Sequence, residues 1–336
     1  MTNILKIAAG AGVVLVARSI MRKSNEDGFE GKTILITGGS RGLGLVIARQ
    51  FAKENAQLAI CARDDEELER ARLDLEARGA RVLALRCDVR NEVDTGQMVR
   101  RVQDHYGRID VLINNAGVIQ TGPLEVMTRD DFEEAMLIHF WGPLNTTMAV
   151  LPSMRERGEG RIVNISSVGG KVSVPHMLPY CSSKFALVGL SQGLRTALSK
   201  DGISVTTVCP GLMRTGSPRN ADFKGQHRKE YAWFSISDAF PLSSVSAERA
   251  ASEIVEACRR RKAELVISWP AKLAVFFNAN FPEVTSELLT MVNRFLPKPG
   301  GIGERSVKGK ESSSKWSPSL LTSLSDAAAI RNNEMG

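Results

Sequence analysis

Between Gly31 and about Ser268, short β-branched runs alternate with longer segments whose apolar residues recur at helical spacing. Thr33–Thr37, Leu58–Ala62, Val82–Arg86, Val111–Asn114, Arg161–Ser166, Ser204–Cys209 and Glu264–Ser268 predict strands, about seven in all. Segments such as Asp65–Arg78 and Phe185–Lys200 predict helices between them. Strand–helix alternation of this kind gives a parallel sheet, and right-handed crossovers place helices on both of its faces. The pattern therefore predicts an α/β, doubly wound fold, with no internal repeat beyond that rhythm.

Both ends of the chain depart from it. Ile7–Ala17 carries no charge and is followed by Arg18, Arg22 and Lys23. A spanning helix needs about 20 apolar residues, so residues 4–21 are marginal for crossing a bilayer. A weak anchor, an interfacial helix and a helix packed on the protein itself all fit, and membrane contact through 4–21 is the expectation. The positive charges after the run would hold the rest of the chain on the cytoplasmic side. Ser24–Glu30 reads as a polar linker. Beyond Ser268, Leu273–Phe277 and Leu288–Leu296 are strongly apolar and separated by Pro282. They fit an extension of a pocket, a homo-oligomer contact or a bilayer contact. From Pro297 the chain turns Gly-, Ser- and Lys-rich, with a short helix expected over Asp326–Asn332.

Composition narrows the class. Apolar residues at 43% and charged residues at 24% are ordinary globular usage, which excludes wholesale disorder and fibrous repeats. The net charge of +7 raises nucleic acid or an anionic surface, but the Lys and Arg residues are scattered. Their one tight run, Arg259–Lys262, reads as a solvated helix end, so no nucleic-acid partner is expected. The five cysteines, Cys61, Cys87, Cys181, Cys209 and Cys258, are odd in number and form no CxxC pair. Buried free thiols in a reducing, cytoplasmic setting are the expectation. His105, His176 and His227 lack metal-ligand spacing, and no metal is expected.

The sharpest chemical signal is Thr37-Gly38-Gly39-Ser40-Arg41-Gly42-Leu43-Gly44, which comes after the first strand and opens a helix. Glycine serves where backbone must turn tightly and approach a pyrophosphate, and the helix N-terminus presents free N–H groups and partial positive charge. Placement between strand and helix, with another such unit next in the chain, is the context that a Rossmann-type dinucleotide-binding fold requires. The spacing Thr-Gly-x-x-x-Gly-x-Gly, with Gly38, Gly42 and Gly44, resembles the short-chain dehydrogenase/reductase family. Later motifs come in that family's order. Asn114-Asn115-Ala116-Gly117 comes after the fourth strand, Tyr180-x-x-x-Lys184 after the fifth, and Pro210-Gly211 with Thr215 after the sixth.

The resemblance implies an NAD(P) cofactor held by the loop residues Ser40, Arg41 and Leu43 beside the three glycines. It also implies roles for Asp88 and Val89 after the third strand, then Asn115, Ala116, Gly117, Tyr180, Lys184, Pro210, Gly211 and Thr215. Asp88 would bond the adenine edge, or equally cap the helix beginning near Asn91. The Asn-Asn-Ala-Gly residues would support the central sheet as well as approach the ribose. Thr215 would reach the carboxamide. Choice between the two nicotinamide cofactors is electrostatic. A carboxylate after the second strand accepts bonds from a free 2′-hydroxyl and repels a 2′-phosphate. Here Ala62 stands at the family's acidic position, Arg63 is next to it, and Arg41 lies in the loop. Two guanidinium groups suit a phosphate, so NADP(H) is favoured over NAD(H), with Asp64 able to weaken the effect by pairing with Arg63.

Tyr180 and Lys184 lie four apart and would share a helix face. An ammonium beside a phenol favours its ionised form and draws its pKa down toward working pH. Such a phenol can give a proton to a carbonyl oxygen or take one from an alcohol. Ser167 precedes Tyr180 by thirteen residues, the spacing of the family's catalytic serine, with Ser166 the neighbour easily confused with it. One residue departs from the pattern. His139 occupies the place of an asparagine that many members use in a proton relay near the lysine. It could serve a relay that titrates near neutrality, or be a hydrogen-bonded structural histidine.

The substrate pocket implied by the resemblance covers Gly216–Ser243, with Tyr231, Trp233, Phe234, Ile236 and Phe240. These could roof an apolar substrate or merely pack a helical cap. The sum is an NAD(P)-dependent oxidoreductase acting on a carbonyl or secondary alcohol, expected to be lipophilic. A non-catalytic nucleotide sensor or scaffold on the same fold is the alternative. Residues 1–30 read as an apolar lead and linker, 31–270 as one catalytic domain, and 271–336 as a helical extension with a polar tail.

Overall fold

The computed structural model describes residues 28–240, 243–314, 317, 319 and 322–335, so the apolar stretch 4–21 lies outside the described residues. Strands β1 (Thr33–Thr37), β2 (Gln57–Ala62), β3 (Arg81–Arg86), β4 (Val111–Asn114), β5 (Gly160–Ile165), β6 (Ile203–Pro210) and β7 (Glu264–Ile267) form one parallel sheet. Their order is β7-β6-β5-β4-β1-β2-β3. Each strand lies within one residue of the span its β-branched run predicted. The connections reverse direction between β1 and β4. In an open α/β sheet that switch point, outside the carboxyl ends of the strands, is where ligands bind.

Helices connect the strands: α1 (Gly42–Ala52), α2 (Asp65–Glu76), α3 (Glu92–Tyr106), α4 (Arg129–Met136), α5 (Gly142–Arg157), α6 (Leu178–Leu198), α7 (His227–Ala239) and α8 (Ala247–Arg259). Alternate residues of β1 serve opposite faces of the sheet, as a pleated strand requires. Ile34 and Ile36 join Val46, Phe51, Leu75 and Ile254 in one buried cluster, under α1, α2 and α8. Leu35 joins Met98, Val150 and Leu198 in the other, under α3, α5 and α6. Burying each such side chain contributes roughly 1.5–3 kcal/mol, which fixes register as well as fold. All five cysteines are free and buried. The Arg259–Lys262 run ends α8 in ion pairs, with Arg259 reaching Glu54 at 2.5 Å.

Helix α6 starts at Leu178, seven residues before the expected Phe185, because Pro179 is tolerated in a first turn. Tyr180 is thereby placed at the start of the helix. Past β7 the chain forms an exposed helical hairpin, α9 (Trp269–Asn280) and α10 (Pro282–Phe295), with Trp269, Phe276, Val284, Leu288 and Phe295 open to solvent. Among the described residues no helix is long and apolar enough to cross a membrane. The Gly- and Ser-rich stretch after this hairpin folds back. Val307–Lys308 pairs with Asp222–Phe223, which in turn pairs with Gln120–Thr121, and helix α11 (Ser323–Arg331) returns the chain toward α1.

Candidate active site

The glycine loop joins β1 to α1. Gly42 has φ +53°, in the left-handed region that suits glycine. A Cβ on Gly44 would run into the Gly38 carbonyl, so α1 can close on the loop only with glycine there. The Thr37 hydroxyl accepts the N–H groups of Asn115 and Ala116 at 3.0 and 3.1 Å. The Asn115 amide donates to the Thr37 and Gly38 carbonyls at 3.2 and 3.0 Å. Asn114 bonds Asn164 at 2.9 Å, inside the sheet. The supporting half of the Asn-Asn-Ala-Gly expectation is therefore explicit: these side chains hold the loop in shape.

At the carboxyl end of β2, Ala62 closes the strand and Arg63 stands exposed beside it. Asp64 does not pair with Arg63. Its carboxylate accepts the Glu67 N–H at 2.8 Å as the N-cap of α2, a contact worth about 1 kcal/mol. Arg41 is less free than its sequence position implied. Glu67 holds its guanidinium at 2.8 Å and the Ser40 hydroxyl at 3.2 Å, and Asn220 takes it at 2.9 Å. Asp88 does not cap α3, because Asn91 does so by accepting the Val93 N–H at 2.8 Å. Asp88 instead grips the Arg90 backbone and guanidinium, which hold its carboxyl below the usual range. Val89 packs against the bare face of Gly142.

At the other end of the crevice the two serines separate. Ser166 turns inward, its hydroxyl donating to the Lys184 carbonyl at 3.0 Å. Ser167 caps a short turn by accepting the Gly169 N–H at 3.0 Å, and both its hydroxyl and the Tyr180 ring lie against the bare face of Gly169. Lys184 is buried, its ammonium donating to the Ile165 carbonyl at 2.9 Å and lying 5.7 Å from the centre of the Tyr180 ring. Burial draws Lys184 down to about 7. Burial also pushes the Tyr180 phenol well above its usual value, with the nearby Ser167 hydroxyl acting against it. The expected lowering of the phenol is not expressed in this arrangement. Desolvation of the phenol dominates, and Lys184, itself drawn down by burial, does not offset it.

His139 lies in a π-helical turn, Leu137–Trp141, between α4 and α5. Its Nε2 accepts the Val118 N–H at 3.1 Å, which puts the proton on Nδ1. Nδ1 meets the Ser183 hydroxyl at 2.7 Å, and that hydroxyl donates to the Tyr180 carbonyl at 2.8 Å. The imidazole stands edge-on to the Tyr180 ring, 5.4 Å between centres. Both nitrogens are engaged, and burial, reinforced by Lys184, holds its pKa well below the usual histidine value. Titration near neutrality is therefore not what this histidine offers; it fixes the start of α6.

After β6, the Gly211 N–H donates to the Ile267 carbonyl at 3.1 Å, just past buried Pro210, and the buried Thr215 hydroxyl meets Ser217 at 2.7 Å. Sequence patterns did not single out Asp238, a buried residue of α7 that accepts the Met213 N–H at 3.1 Å and braces this segment. His176 is tied to fully buried Glu230 at 2.9 Å, which also takes the Trp233 indole at 2.6 Å. Tyr231 and Phe234 pack with Phe223, Met177 and Cys181, so they build the cap's core, while Phe240 stays exposed. A concavity beside Tyr180 is lined by Val118, Gln120, Asp131, Glu134, Ala135 and Asp222.

A family model described as short chain dehydrogenase matches residues 32–224. The chain is 34% identical over 272 residues to the dehydrogenase/reductase SDR family protein 7-like of Anopheles gambiae, covering 79% of this chain and 84% of that protein. It is 42% identical over 186 residues to oxidoreductase UcpA of Salmonella typhimurium, covering 55% and 70% respectively. The crystal structure of levodione reductase is similar with a TM-score of 0.62 at 26% identity, over 71% of this chain and 97% of that one.

Proposed function

We propose that this chain, which belongs to the short-chain dehydrogenase/reductase family, uses NADP(H) to interconvert a lipophilic carbonyl compound and its secondary alcohol. Members of the family are NAD(P)(H)-dependent oxidoreductases acting between CH–OH and C=O, and this chain is one of them. The crevice fits a dinucleotide: Gly42 and Gly216 carry no side chain on its two sides, where Glu334 now lies between them, and the N-terminus of α1 points into it. A bound nicotinamide supplies or takes the hydride. Everything else falls to side chains of the chain.

The observation that carries the reading is that Ser167, at the carboxyl end of β5, and Tyr180 lie together against Gly169, with Lys184 one helical turn further on. Ser167 Oγ holds the substrate oxygen. The Tyr180 hydroxyl gives its proton to that oxygen in reduction and receives it in oxidation. Lys184, when protonated, favours the phenolate that Tyr180 becomes in reduction. NADP(H) preference is supported by Ala62 in place of a carboxylate and by exposed Arg63. A lipophilic substrate is supported by the apolar cluster in which Met177, Ile119, Val174 and Trp233 pack with Tyr180, and the carboxylates Asp131, Glu134 and Asp222 of the concavity beside Tyr180 suit a polar end. In this reading residues 31–270 carry catalysis, 271–336 complete the crevice, and 4–21 hold the protein on the cytoplasmic face of a membrane.

The test is kcat/KM for NADPH and NADH over a panel of ketones and secondary alcohols. NADPH should win in the wild type and lose about tenfold or more of its advantage in Arg63→Glu; a native preference for NADH would remove the cofactor assignment. Deleting residues 1–24 should move the protein from the membrane to the soluble fraction; unchanged partition would remove the anchor.

A further inference from the structure

Helix α11 ends at Arg331, and the residues after it turn into the crevice. The Gly42 N–H, in the first turn of α1, donates to the Asn332 carbonyl at 2.9 Å. The Asn333 amide donates to the Ser40 and Glu67 carbonyls at 2.9 and 3.0 Å. Arg49 takes the Asn332 side chain at 2.9 Å, and Arg70 takes that of Asn333 at 2.8 Å. On the opposite wall the Gly216 N–H donates to the Glu334 carboxylate at 2.6 Å, and the Asn220 amide donates to the Glu334 carbonyl at 3.3 Å.

Glu334 thus spans the gap between the glycine loop and the segment after β6, and it is only 4% exposed. A Cβ on Gly42 would lie 3.0 Å from Glu334 Oε1, and one on Gly216 would lie 2.6 Å from Glu334 Cβ. Gly42 is the glycine of this loop whose missing side chain lets a pyrophosphate approach. The space it leaves holds a carboxylate of the same chain, at a helix N-terminus that favours anions.

We propose that the tail Asn332–Glu334 is an internal occupant of the dinucleotide phosphate site and must withdraw before the cofactor binds, so that the enzyme is self-inhibited at that step. The proposal rests on the assignment of residues 38–44 as a phosphate-binding loop. Withdrawal is local. Ala328 and Ala329 are buried and keep α11 in place, while Met335 beyond the tail is half exposed. Asn333 has φ +60°, a left-handed conformation that asparagine tolerates and a place where the chain can swing. The tail's contacts are polar, and a phosphate would offer the Gly42 and Gly216 N–H groups equivalent acceptors with more charge. Burial also pushes the Glu334 carboxyl up to about 7, with Arg41, Glu67 and Asp238 the charged groups that face it. Its ionised form is therefore disfavoured when docked, and docking weakens as pH rises from about 4.5 toward about 7.

The experiment compares the full chain, a chain ending at Arg331, and Glu334→Ala. NADPH and NADH binding is followed by titration calorimetry, and tail protection by hydrogen exchange. Both variants should bind the preferred dinucleotide about tenfold or more tighter, since an apparent Kd is the intrinsic value divided by the open fraction. Amides of 332–335 in the full chain should exchange faster when NADPH saturates. The advantage should shrink as pH approaches about 7. Weaker binding by the variants, or greater tail protection with NADPH, would make the tail a strap over bound cofactor and overturn the proposal. Equal binding by all three would place the tail outside the phosphate site and also overturn it. Failure of every form to bind either dinucleotide would overturn the phosphate-loop assignment itself, and the proposal with it. Glu334→Ala keeps the test decisive if the shortened chain does not fold.

Discussion

The two ends of the crevice are built on different principles. At the proposed catalytic end, Ser167, Tyr180 and Lys184 come from the end of β5 and the helix after it, and their neighbours are fixed by the central sheet. At the phosphate end, the glycine loop is shaped by β1 and β4 but finished by residues almost three hundred positions away, Asn332, Asn333 and Glu334. The first end is prearranged, and burial shifts the protonation of Tyr180 and Lys184. The second is a ready anion site already in contact with a carboxyl group of the chain. A substitution at the catalytic end should therefore act on rate and on pH response, and one at the phosphate end on affinity.

The largest effect is expected at Tyr180. Tyr180→Phe should lower kcat by about a hundred- to ten-thousandfold, the usual range for a proton-transfer group, with dinucleotide affinity retained. Turnover within a few-fold of wild type would break the contrast, because rate would then not depend on this hydroxyl. Lys184 comes next. Its folded pKa is drawn from 10.5 down to about 7, so between those values the unfolded chain holds a proton that the folded chain has released. Stability then rises with pH across that window and is flat below it. Relative to Lys184→Met, the wild type should gain up to roughly 5 kcal/mol between pH 7 and 10.5. Parallel melting curves for the two proteins over that range would show that Lys184 is not buried as described.

The same contrast explains what the sequence made legible. Strand spans, the glycine loop and the proximity of Ser167, Tyr180 and Lys184 were readable because each is local: β-branched runs, a strand–helix junction, and positions four apart on one helix. Three features were not. Glu67 lies on α2, 26 residues from Arg41, and nothing in its own helix marks it as that guanidinium's partner. Asp238 and Glu334 reach the crevice only through tertiary packing of α7 and α11, and neither has a neighbouring motif. The protonation of Tyr180 also escaped, since spacing reveals that a lysine is near but not that both groups are desolvated. His139 shows a middle case. Its position was readable, while its role depended on where two ring nitrogens found partners.

A smaller effect is expected there. His139→Phe leaves the Val118 N–H and the Ser183 hydroxyl without their acceptor and donor, at a cost of about 1–3 kcal/mol. The melting temperature should fall, and His139→Asn should recover part of the loss by restoring a hydrogen-bonding group. The shape of the kcat profile around neutral pH should not change, because burial and Lys184 hold the imidazole well below the usual histidine value. Loss of an ionisation from that profile would restore a relay role and make His139 part of the proton path.

The smallest effect is expected at the phosphate end, and it bears on cofactor choice. Arg41 can meet a 2′-phosphate only by leaving Glu67, whose carboxylate holds it at 2.8 Å and holds Ser40 at 3.2 Å. The arginine is 39% exposed and its partner 12% exposed, so the ion pair is solvent-screened on one side. Pairs of this kind are worth about 0–1 kcal/mol. Glu67→Gln removes the charge while keeping an amide that can bond Ser40, and the backbone contacts of residue 67 to Asp64 and Asn333 are untouched. NADPH affinity should then rise by about two- to fivefold, the upper end of what such a pair can withhold. NADH, with no 2′-phosphate, should bind as before. Equal gains for both dinucleotides would show that Glu67 opposes the shared pyrophosphate instead, and would move the electrostatic boundary of this end from the ribose to the tail.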